Sequence, residues 1–501
     1  MATDKEQSLK QIMDFRLEKL EKLRELGVNP YPYSFDASHH SKEILADFDK
    51  LADKPVSVAG RIVSLRKMGK ASFFHVQDMK GKIQVYIKRD EVGEDNYEIF
   101  QVLDIGDIVG VSGQVFKTKT EEVTVNCGKL ELLSKSIRPL PGAKEKDGEV
   151  YHAFKDKEQR YRHRYLDLIV NPEVKDDFIK RAKIITATRN FLDEAGFIEV
   201  ETPVLQPLYG GASARPFSTR HHTLDQTLYL RIADELYLKR LIAGGFDGVY
   251  EISKVFRNEG MDRNHNPEFT MLEFYKAYVD YNFLTDFVES LIRAAAEAIN
   301  VSTIDVSGQS VDLSKPFLRA GYMDLLKDAV GEDLTDATEK DLSAICKKRK
   351  ISLEKDAHLG RMYEVIMREL VEPNLIKPIF VTDYPKVISP LAKIRRDGNE
   401  SIVERFELFV GGGELANAFS ELNDPLDQRR RFEAQVQLRE RGDEEAQTLD
   451  ENYLQSVEIG MPPTGGVGLG IDRLTMLLIG KTNIKDVIFF PAMRPQDDEK
   501  R

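Results

Sequence analysis

Residues 250–260 read YEISKVFRNEG, and residues 267–275 read PEFTMLEFY. Apolar and polar side chains alternate in both segments, and a loop containing Gly, Asp, Asn and His lies between them, which is the pattern of a β-hairpin. The first strand ends beside Arg257, a side chain suited to a phosphate that gains charge during displacement. Phe269 in the second strand offers a flat face on which a purine can stack. The hairpin therefore predicts a nucleotide-binding site.

The composition indicates a globular protein of two or three domains. The chain has 501 residues, of which 41% are hydrophobic and 31% are charged, so it has enough apolar material for a full core. Two cysteines, Cys127 and Cys346, are too few for a disulfide framework or a zinc site, which fits a reducing compartment. The sequence contains no signal peptide and no apolar run of membrane-spanning length. We therefore expect a cytoplasmic protein.

The charge distribution is uneven. The net charge of the chain is −12, which by itself argues mildly against nucleic-acid binding. However, residues 54–89 contain nine Lys and Arg residues against the single acidic residue Asp78. This basic segment could attract phosphates although the rest of the protein is acidic.

The same basic segment lies in a region of short predicted strands. Residues 8–26 have helical periodicity and are followed by Gly27, so a helix is expected there. Beyond it, five short β-rich runs alternate with turns, at residues 56–63, 72–76, 82–87, 108–111 and 123–125. Five strands in about 80 residues fit a small barrel such as the OB-fold.

The rest of the chain predicts a larger domain of mixed α and β structure. Residues 173–195 have a helical pattern closed by Gly196, and residues 197–205 follow as a predicted strand. Residues 282–380 have a largely helical pattern. Near the end, a glycine-rich strand and turn at residues 465–470 lead into an apolar helix that carries Arg473 near its start.

These segments together resemble the three motifs of the class II aminoacyl-tRNA synthetases. The helix and strand of residues 173–205 are similar to motif 1, which builds the dimer interface in that family. The hairpin around Arg257 resembles motif 2, and the segment around Arg473 resembles motif 3. The resemblance implies an α+β protein, a homodimer, with a five-stranded OB-fold barrel before a catalytic domain whose mainly antiparallel sheet is flanked by helices.

The resemblance also implies domain boundaries. We expect a helical extension at residues 1–53, an anticodon-binding OB-fold at 54–137, a linker at 138–165 and the catalytic domain at 166–501. The helical insertion between motifs 2 and 3 would occupy about residues 282–380.

In this family a carboxylate attacks the α-phosphate of ATP and expels pyrophosphate. A carboxylate is ionised at neutral pH, so positioning and charge neutralisation replace a general base. By the resemblance, Arg257 binds both the carboxylate and the α-phosphate, and Arg473 holds the γ-phosphate and covers an adenine stacked on Phe269. Glu259 would accept the adenine amino group, and His265 would reach the distal phosphates.

Magnesium requires hard oxygen ligands. Glu407 and Glu414 match the metal-binding acids of the family. Each alone would more often be a solvated glutamate, but the apolar and glycine-rich sequence around them favours a site. Mg²⁺ is therefore the expected cofactor.

The choice of amino acid depends on carboxylates, because a buried ammonium without a partner costs several kcal/mol. Glu273 and Tyr275 share one face of a strand, as alternate residues do. Alternate residues further on add an amide, a ring and a second carboxylate: Asn417, Phe419 and Glu421. Two carboxylates, a hydroxyl and an apolar ring suit an alkylammonium chain.

The sequences around residues 210–217, 256–260 and 419–424 closely match the bacterial-type class II lysyl-tRNA synthetases, and the resemblance covers residues 55–495. It implies a lysine–tRNA ligase that forms lysyl-adenylate and transfers lysine to its tRNA. Gly211 and Glu235 would hold the α-amino group of lysine, Asn417 and Arg257 the carboxylate, and Glu273, Tyr275 and Glu421 the ε-ammonium. Ala416 and Ala418 replace glycines found in some members, and we expect only a local packing change there.

The barrel would then read the anticodon of the tRNA partner. By resemblance, Phe73 stacks on a base and Gln84 reads a base edge, while Arg66 is a weaker phosphate or base contact. The alternatives for Phe73 and Gln84 are a core ring and a surface amide.

Other functions are weaker interpretations. Aspartyl- and asparaginyl-tRNA synthetases share both domains, but their substrates are not cations, so Glu273 and Glu421 argue against them. A synthetase-like ligase that modifies a protein would generally lack the barrel. A catalytically dead RNA-binding adaptor would be expected to lose Arg257, Arg473 or the acidic pair.

Overall fold

The computed structural model describes residues 4–141, 143–146, 149–152, 154–354, 357–441 and 446–496. The chain divides into two compact units between Val174 and Lys175. No helix in the described ranges is long and apolar enough to cross a membrane.

The first unit is built around a closed five-stranded barrel. The strands, in the order β1-β2-β3-β5-β4 around the barrel, are β1 (Pro55–Met68), β2 (Ala71–Gln77), β3 (Lys82–Lys88), β4 (Ile108–Lys117) and β5 (Val123–Ser134). Alternate residues of each strand point inward and form one apolar core, as the period of two requires. The predicted OB-fold is confirmed.

The described residues of this part of the chain also form seven helices and a hairpin. They are α1 (Asp4–Glu25), α2 (Ser41–Ala46), α3 (Phe48–Leu51), α4 (Arg89–Val92), α5 (Glu94–Val102), β6 (Ala143–Lys146), β7 (Glu149–His152), α6 (Lys157–Arg162) and α7 (Arg164–Val170). Helix α1 confirms the predicted N-terminal helix. The predicted linker, residues 138–165, includes the hairpin and α6, while residues 142, 147, 148 and 153 of it lie outside the described ranges.

The second unit contains an eight-stranded sheet with helices packed on it. In sequence order the strands of the second unit, including those outside the large sheet, are β8 (Ile198–Glu199), β9 (Leu205–Gln206), β10 (Ser218–His221), β11 (Gln226–Leu230), β12 (Gly248–Phe256), β13 (Glu268–Ala277), β14 (Thr303–Val306), β15 (Gln309–Asp312), β16 (Leu318–Gly321), β17 (Ile379–Pro385), β18 (Ile402–Val410), β19 (Gly413–Ser420) and β20 (Thr464–Gly470). The large sheet has the order β16-β17-β18-β19-β20-β13-β12-β8. Only its two terminal pairings are parallel, so the predicted mainly antiparallel sheet is confirmed.

The helices of this unit surround the sheet. They are α8 (Glu173–Glu194, which begins just before the division), α9 (Glu235–Ala243), α10 (Tyr281–Glu297), α11 (Tyr322–Val330), α12 (Glu339–Arg349), α13 (Leu359–Leu370), α14 (Pro425–Glu440), α15 (Glu451–Gly460) and α16 (Ile471–Ile479). Short 3₁₀ helices occupy Glu372–Asn374, Lys386–Ile388 and Ile484–Asp486. Apolar residues of α8, α10 and α16 pack with the sheet in one large core.

The prediction of a single strand over residues 197–205 is wrong. Only Ile198–Glu199 pairs with the large sheet, and Leu205–Gln206 joins a separate three-stranded sheet. Between them the backbone N–H of Thr202 donates to the side chain of Glu251 at 3.0 Å, and Pro203 has no N–H to donate. The strand is therefore interrupted at Thr202 and Pro203, which donate no backbone N–H hydrogen bond to the backbone of a neighbouring strand.

The segment 282–380 differs in part from its prediction. It contains α11, α12 and α13 and most of α10, but also the β14–β15 hairpin and strand β16. Strand β16 pairs in parallel with β17, which lies about 60 residues further along the chain. The helical pattern predicts most of the segment, whereas β16 exists because of a distant partner.

Candidate active site

A glycine-rich strand separates the two strands that carry four of the eight predicted lysine-binding residues. In β20, Gly466 and Gly468 lie between β13 and β19. Their cross-strand neighbours are Glu273, Tyr275, Asn417 and Phe419. A Cβ atom at Gly466 would collide with the carboxylate of Glu421 and the ring of Tyr275. The absence of side chains on β20 thus leaves room for side chains from both neighbours.

A cavity of about 380 Å³ opens on this face of the sheet. The predicted active-site residues that line it are Gly211, Glu235, Arg257, Glu259, His265, Phe269, Glu273, Tyr275, Glu407, Glu414, Asn417, Phe419 and Arg473. Glu421 does not line the open cavity, because it is buried beside Gly466 with only 1% of its surface exposed. The fold therefore brings together residues that are more than 250 positions apart.

The inner end of the cavity is acidic. Glu273 is 3% exposed, and its carboxylate accepts hydrogen bonds from the backbone N–H of Asp234 and the hydroxyl of Tyr275, both at 3.0 Å. Burial raises the pKa of Glu273 well above its usual range, and the nearby Asp234 and Glu235 raise it further. This end of the cavity favours a bound cation, since a cation lowers the cost of the buried charge.

Two more carboxylates lie close to Glu273 and share a buried lysine. The ammonium of Lys239 donates to Oε1 of Glu235 at 2.5 Å and forms an ion pair with Oε2 of Glu421. Burial raises the pKa of both Glu235 and Glu421, while Lys239 opposes the rise. Gly211 has a φ of +83°, and a Cβ atom there would lie 2.9 Å from the Cβ of Glu235. Only glycine fits easily at that position.

Arg257 lies at the end of β12 and next to Phe269. Its backbone N–H donates to the carbonyl of Pro267 at 2.9 Å, which closes the hairpin. Its guanidinium carbon lies 5.2 Å from the centre of the Phe269 ring, within cation–π range. Burial lowers the pKa of Arg257, although Glu259 and Glu414 nearby oppose that shift. A partly desolvated arginine of this kind is suited to binding anions.

Arg473 connects α16 to the opposite side of the cavity. It donates to the backbone carbonyl of Glu414 at 2.7 Å, and to Nε2 of His265 at 3.1 Å. The other ring nitrogen of His265 faces the carboxylate of Asp262 at 2.8 Å. His265 and Arg473, predicted to reach the distal phosphates, are therefore neighbours.

Glu407 and Glu414 are the candidate magnesium ligands. Glu407 accepts hydrogen bonds from Arg405 at 2.5 Å and from the hydroxyl of Tyr384 at 2.8 Å, and burial raises its pKa to about 7. Among the described residues, no group of three or more His, Cys, Asp or Glu could hold a metal by itself. Mg²⁺ at a nucleotide site takes one or two carboxylates and completes its shell with phosphates and water. These two glutamates fit that requirement.

The barrel places the predicted anticodon residues on one outer face. Arg66 is exposed and lies opposite Phe73 in the β1–β2 register. Phe73 is half-buried and outside the barrel core, with its ring centre 5.0 Å from that of Tyr86. Gln84 donates to Glu122 at 2.7 Å and accepts from Thr124 at 2.8 Å. This outer face of the barrel offers aromatic rings on which bases can stack and polar groups beside those rings.

Some residues of the two sites were missed by the sequence analysis. In the cavity region these are Lys239, Asp234, Arg405 and Tyr384, and on the barrel they are Tyr86 and Phe116, whose ring centres are 6.1 Å apart. Tyr86 could have been found, because it is two residues from Gln84 on a strand. Lys239 is four residues after Glu235 on a helix, a spacing that pairs charges, but nothing in the sequence reveals its burial.

Two family models match the chain. The model described as tRNA synthetases class II (D, K and N) matches residues 156–494, and an OB-fold nucleic acid binding domain matches residues 56–133. The fold and the site thus define a class II aminoacyl-tRNA synthetase with an N-terminal OB-fold.

Similar proteins with curated names show to which family of this class the chain belongs. A lysine–tRNA ligase of Carboxydothermus hydrogenoformans is 50% identical over 98% of this chain and 99% of its own length. Lysine–tRNA ligases of Pelotomaculum thermopropionicum and Porphyromonas gingivalis are 50% and 49% identical, over 99% and 96% of this chain and 97% and 85% of their own lengths. The chain belongs to the lysine–tRNA ligase family, which confirms the resemblance seen in the sequence.

Proposed function

We propose that this protein activates L-lysine with ATP and transfers it to the 3′ end of lysine tRNA. The observation that supports lysine most strongly is the buried group of three carboxylates, Glu235, Glu273 and Glu421, at the inner end of a cavity whose mouth carries Arg257 and Arg473. An acidic end suits an ammonium, and the arginines suit a carboxylate and phosphates.

In the first step, the lysine carboxylate attacks the α-phosphorus of ATP. A new bond forms between the carboxylate oxygen and phosphorus, the bond to the bridging oxygen of the β-phosphate breaks, and pyrophosphate leaves. Arg257 binds the carboxylate and the α-phosphate together, so it aligns the reactants and offsets the charge that develops. No proton is transferred, so this step needs no general base.

The remaining ATP contacts are assigned by the family resemblance, and their common position around one cavity supports them. Phe269 stacks on the adenine, Glu259 accepts its amino group, and His265 and Arg473 hold the distal phosphates. Glu407 and Glu414 would hold Mg²⁺, which, when bound, neutralises phosphate charge during the displacement.

Lysine lies along β13 and β19 in this proposal. Its α-amino group binds Glu235 next to Gly211, and its carboxylate lies near Asn417 and Arg257. Its chain passes Phe419 toward Glu273, Tyr275 and Glu421, which bind the ε-ammonium. The hydroxyl of Tyr275 already donates to Glu273, so it fixes the carboxylate for the cation.

In the second step, a ribose hydroxyl at the 3′ end of the tRNA attacks the acyl carbon of lysyl-adenylate. An ester bond forms, the bond between the acyl carbon and the phosphate oxygen breaks, AMP leaves, and the hydroxyl proton is released. The barrel, predicted as residues 54–137, binds the anticodon through Phe73, Gln84 and Arg66. We place the enzyme in the cytoplasm, where its substrates are found.

We further propose a homodimer. Several apolar residues of the segment that resembles motif 1 are exposed in the single chain, namely Ile179, Ile198, Val204 and Leu205. Such residues are often covered by a partner. Sedimentation should give twice the 57.1 kDa mass of one chain, and the mass of one chain would contradict the dimer.

The reaction is tested by aminoacylation with labelled lysine and unfractionated tRNA. We expect charged tRNA only when ATP and Mg²⁺ are both present, and loss of activity when EDTA removes the metal. Charging without magnesium would contradict the assigned role of Glu407 and Glu414.

A further inference from the structure

Lys239 is a fully buried lysine directly behind the cavity. Its side chain has no exposed surface, and the pocket residues it touches are Glu235, Glu421 and Phe419, whose ring centre is 5.5 Å from the ammonium. Tyr453 of α15 lies on another side of it, at 5.8 Å. A buried ammonium is expensive unless its partners are fixed, so this arrangement requires an explanation.

The charges at the inner end of the cavity do not balance. Glu235, Glu273 and Glu421 supply three negative charges when ionised, and Lys239 supplies one positive charge. The neighbouring Asp234 and Glu251 share Arg231, which compensates for only one of these two carboxylates when both are ionised, and Glu407 binds Arg405. Among Glu235, Glu273, Glu421 and Lys239 alone, two negative charges are left without a counter-ion when all three carboxylates are ionised.

Lysine has two ammonium groups that match these two charges. Its carboxylate is neutralised separately by Arg257 at the mouth of the cavity. Without Lys239, three carboxylates would face two ammonium groups, and burial would drive one carboxylate to bind a proton. A protonated carboxyl no longer requires a cation.

We propose that Lys239 is a specificity-determining positioning residue, an internal counter-ion that holds Glu235 and Glu421 in place and adjusts the pocket to two ammonium groups. The inference rests on the proposed activation of lysine. Lys239 itself does not touch the substrate in this arrangement, and it acts through the two glutamates that it bridges.

The structure makes an unusual prediction for a double variant. In Glu421→Gln, Lys239 keeps its positive charge but pairs only with Glu235. Because this charge repels the ε-ammonium of the substrate lysine, we expect a higher KM for lysine. Replacing Lys239 as well, in Lys239→Met with Glu421→Gln, restores two negative charges for two ammonium groups. Steady-state pyrophosphate exchange should show that the second substitution lowers the KM for lysine by about tenfold or more relative to Glu421→Gln alone.

Lys239→Met alone leaves two buried glutamates, Glu235 and Glu421, without their ammonium, whereas the double variant leaves only Glu235 in that state. Because each uncompensated buried charge is destabilising, the double variant should fold even if Lys239→Met alone does not. Its thermal unfolding should be checked beside the exchange assay. The KM for ATP should change little among these variants, because the ATP contacts are elsewhere in the cavity.

Lys135 provides the matched control. It is an equally buried lysine, paired with Asp104 and Asp107 in the barrel, and exchange does not require tRNA. The double variant Lys135→Met with Glu421→Gln should have the same KM for lysine as Glu421→Gln alone.

Three results would overturn the inference. If Lys239→Met raises the KM further in the Glu421→Gln background, Lys239 only supports the fold. If Lys135→Met rescues equally, the effect is not local. If the wild-type protein shows no lysine-dependent exchange, the proposed function fails and this inference fails with it.

Discussion

Glu273 shows how a single buried carboxylate can be prepared for a cation. Both of its oxygens are fixed by donors, from the backbone of Asp234 and from Tyr275. Yet burial and the adjacent acids raise its pKa, so ionisation is costly while the cavity is empty. An arriving ammonium reduces that cost, and this difference selects a cation over a neutral side chain.

This pKa shift predicts a pH dependence of lysine binding. A raised pKa means that Glu273 tends to hold a proton in the free enzyme as the pH falls, and the proton must leave before an ammonium can bind. The KM for lysine should therefore decrease as the pH rises through the raised pKa. Exchange kinetics from about pH 6 to about pH 8 would measure this, since the ε-ammonium of lysine stays charged there and the α-amino group of free lysine is still mostly protonated. A pH-independent KM would contradict the role of Glu273.

Gly466 is the residue at which backbone space decides the shape of the pocket. A Cβ atom there would overlap the Glu421 carboxylate and the Tyr275 ring. In Gly466→Ala both side chains must move, so we expect the KM for lysine to rise by about tenfold or more, in line with the ~1–3 kcal/mol cost of overpacking. The KM for ATP should change much less.

A glycine with open surroundings is the control for that substitution. At Gly128 in β5, an added Cβ would have its nearest neighbour at 3.7 Å, the carbonyl oxygen of Ser112. Gly128→Ala should leave both KM values at the wild-type level. If Gly466→Ala also left the lysine KM unchanged, the pocket would not be where we place it.

At the scale of elements, one carboxylate joins three of them. Asp472 at the start of α16 is 1% exposed. It accepts hydrogen bonds from Arg181 of α8 at 2.6 Å and from the backbone N–H of Thr270 in β13 at 2.7 Å. The helix that carries Arg473 is thereby anchored to the strand that carries Phe269.

Removing this carboxylate should destabilise the catalytic unit. Asp472→Ala leaves a buried N–H without its acceptor and Arg181 without its carboxylate partner, and we expect the free energy of unfolding to fall by about 3 kcal/mol. Denaturant unfolding measures the change. The exposed pair Asp286–Arg319 is the control, since Asp286→Ala should cost no more than about 1 kcal/mol. Equal losses of unfolding free energy in the two variants would show that Asp472 stabilises the unit no more than an exposed ion pair does.

The elements differ in how far the sequence predicts them. The β12–β13 hairpin is local, and its alternation and turn residues identify it. Strand β16 depends on a partner about 60 residues away, and the break between β8 and β9 depends on Glu251 capturing the Thr202 N–H. Such tertiary contacts have no local signature.

Similar reasoning applies to the site. Residues such as Arg257 and Glu273 were predictable because their motifs are compact and their chemistry is specific. Lys239 was not, because the same Glu-Lys spacing on an exposed helix would be an ordinary surface pair. Its importance arises from burial, and from Glu421, which comes from a distant strand end.

At the scale of the whole molecule, the two units divide the proposed work. The cavity that we propose for ATP and lysine is lined by residues after Val174, while the aromatic row of Phe73, Tyr86 and Phe116 belongs to the barrel. Adenylate formation should therefore be separable from tRNA recognition.

A substitution on the barrel tests that separation. Phe73→Ala should reduce kcat/KM for tRNA in aminoacylation by about tenfold or more, since stacking on a base contributes ~1–3 kcal/mol, and it should leave pyrophosphate exchange unchanged. Tyr33, a fully exposed aromatic residue outside the strands, provides the control substitution Tyr33→Ala. Equal loss of exchange and aminoacylation in Phe73→Ala would point to a folding defect.

The most direct test of the proposed function is exchange of labelled pyrophosphate into ATP, measured with each of the twenty amino acids and with magnesium present. We predict exchange with lysine alone, because only lysine places an alkylammonium between Glu273 and Glu421 while its carboxylate reaches Arg257. Exchange with aspartate or asparagine, or no exchange with any amino acid even after tRNA is added, would contradict lysine activation.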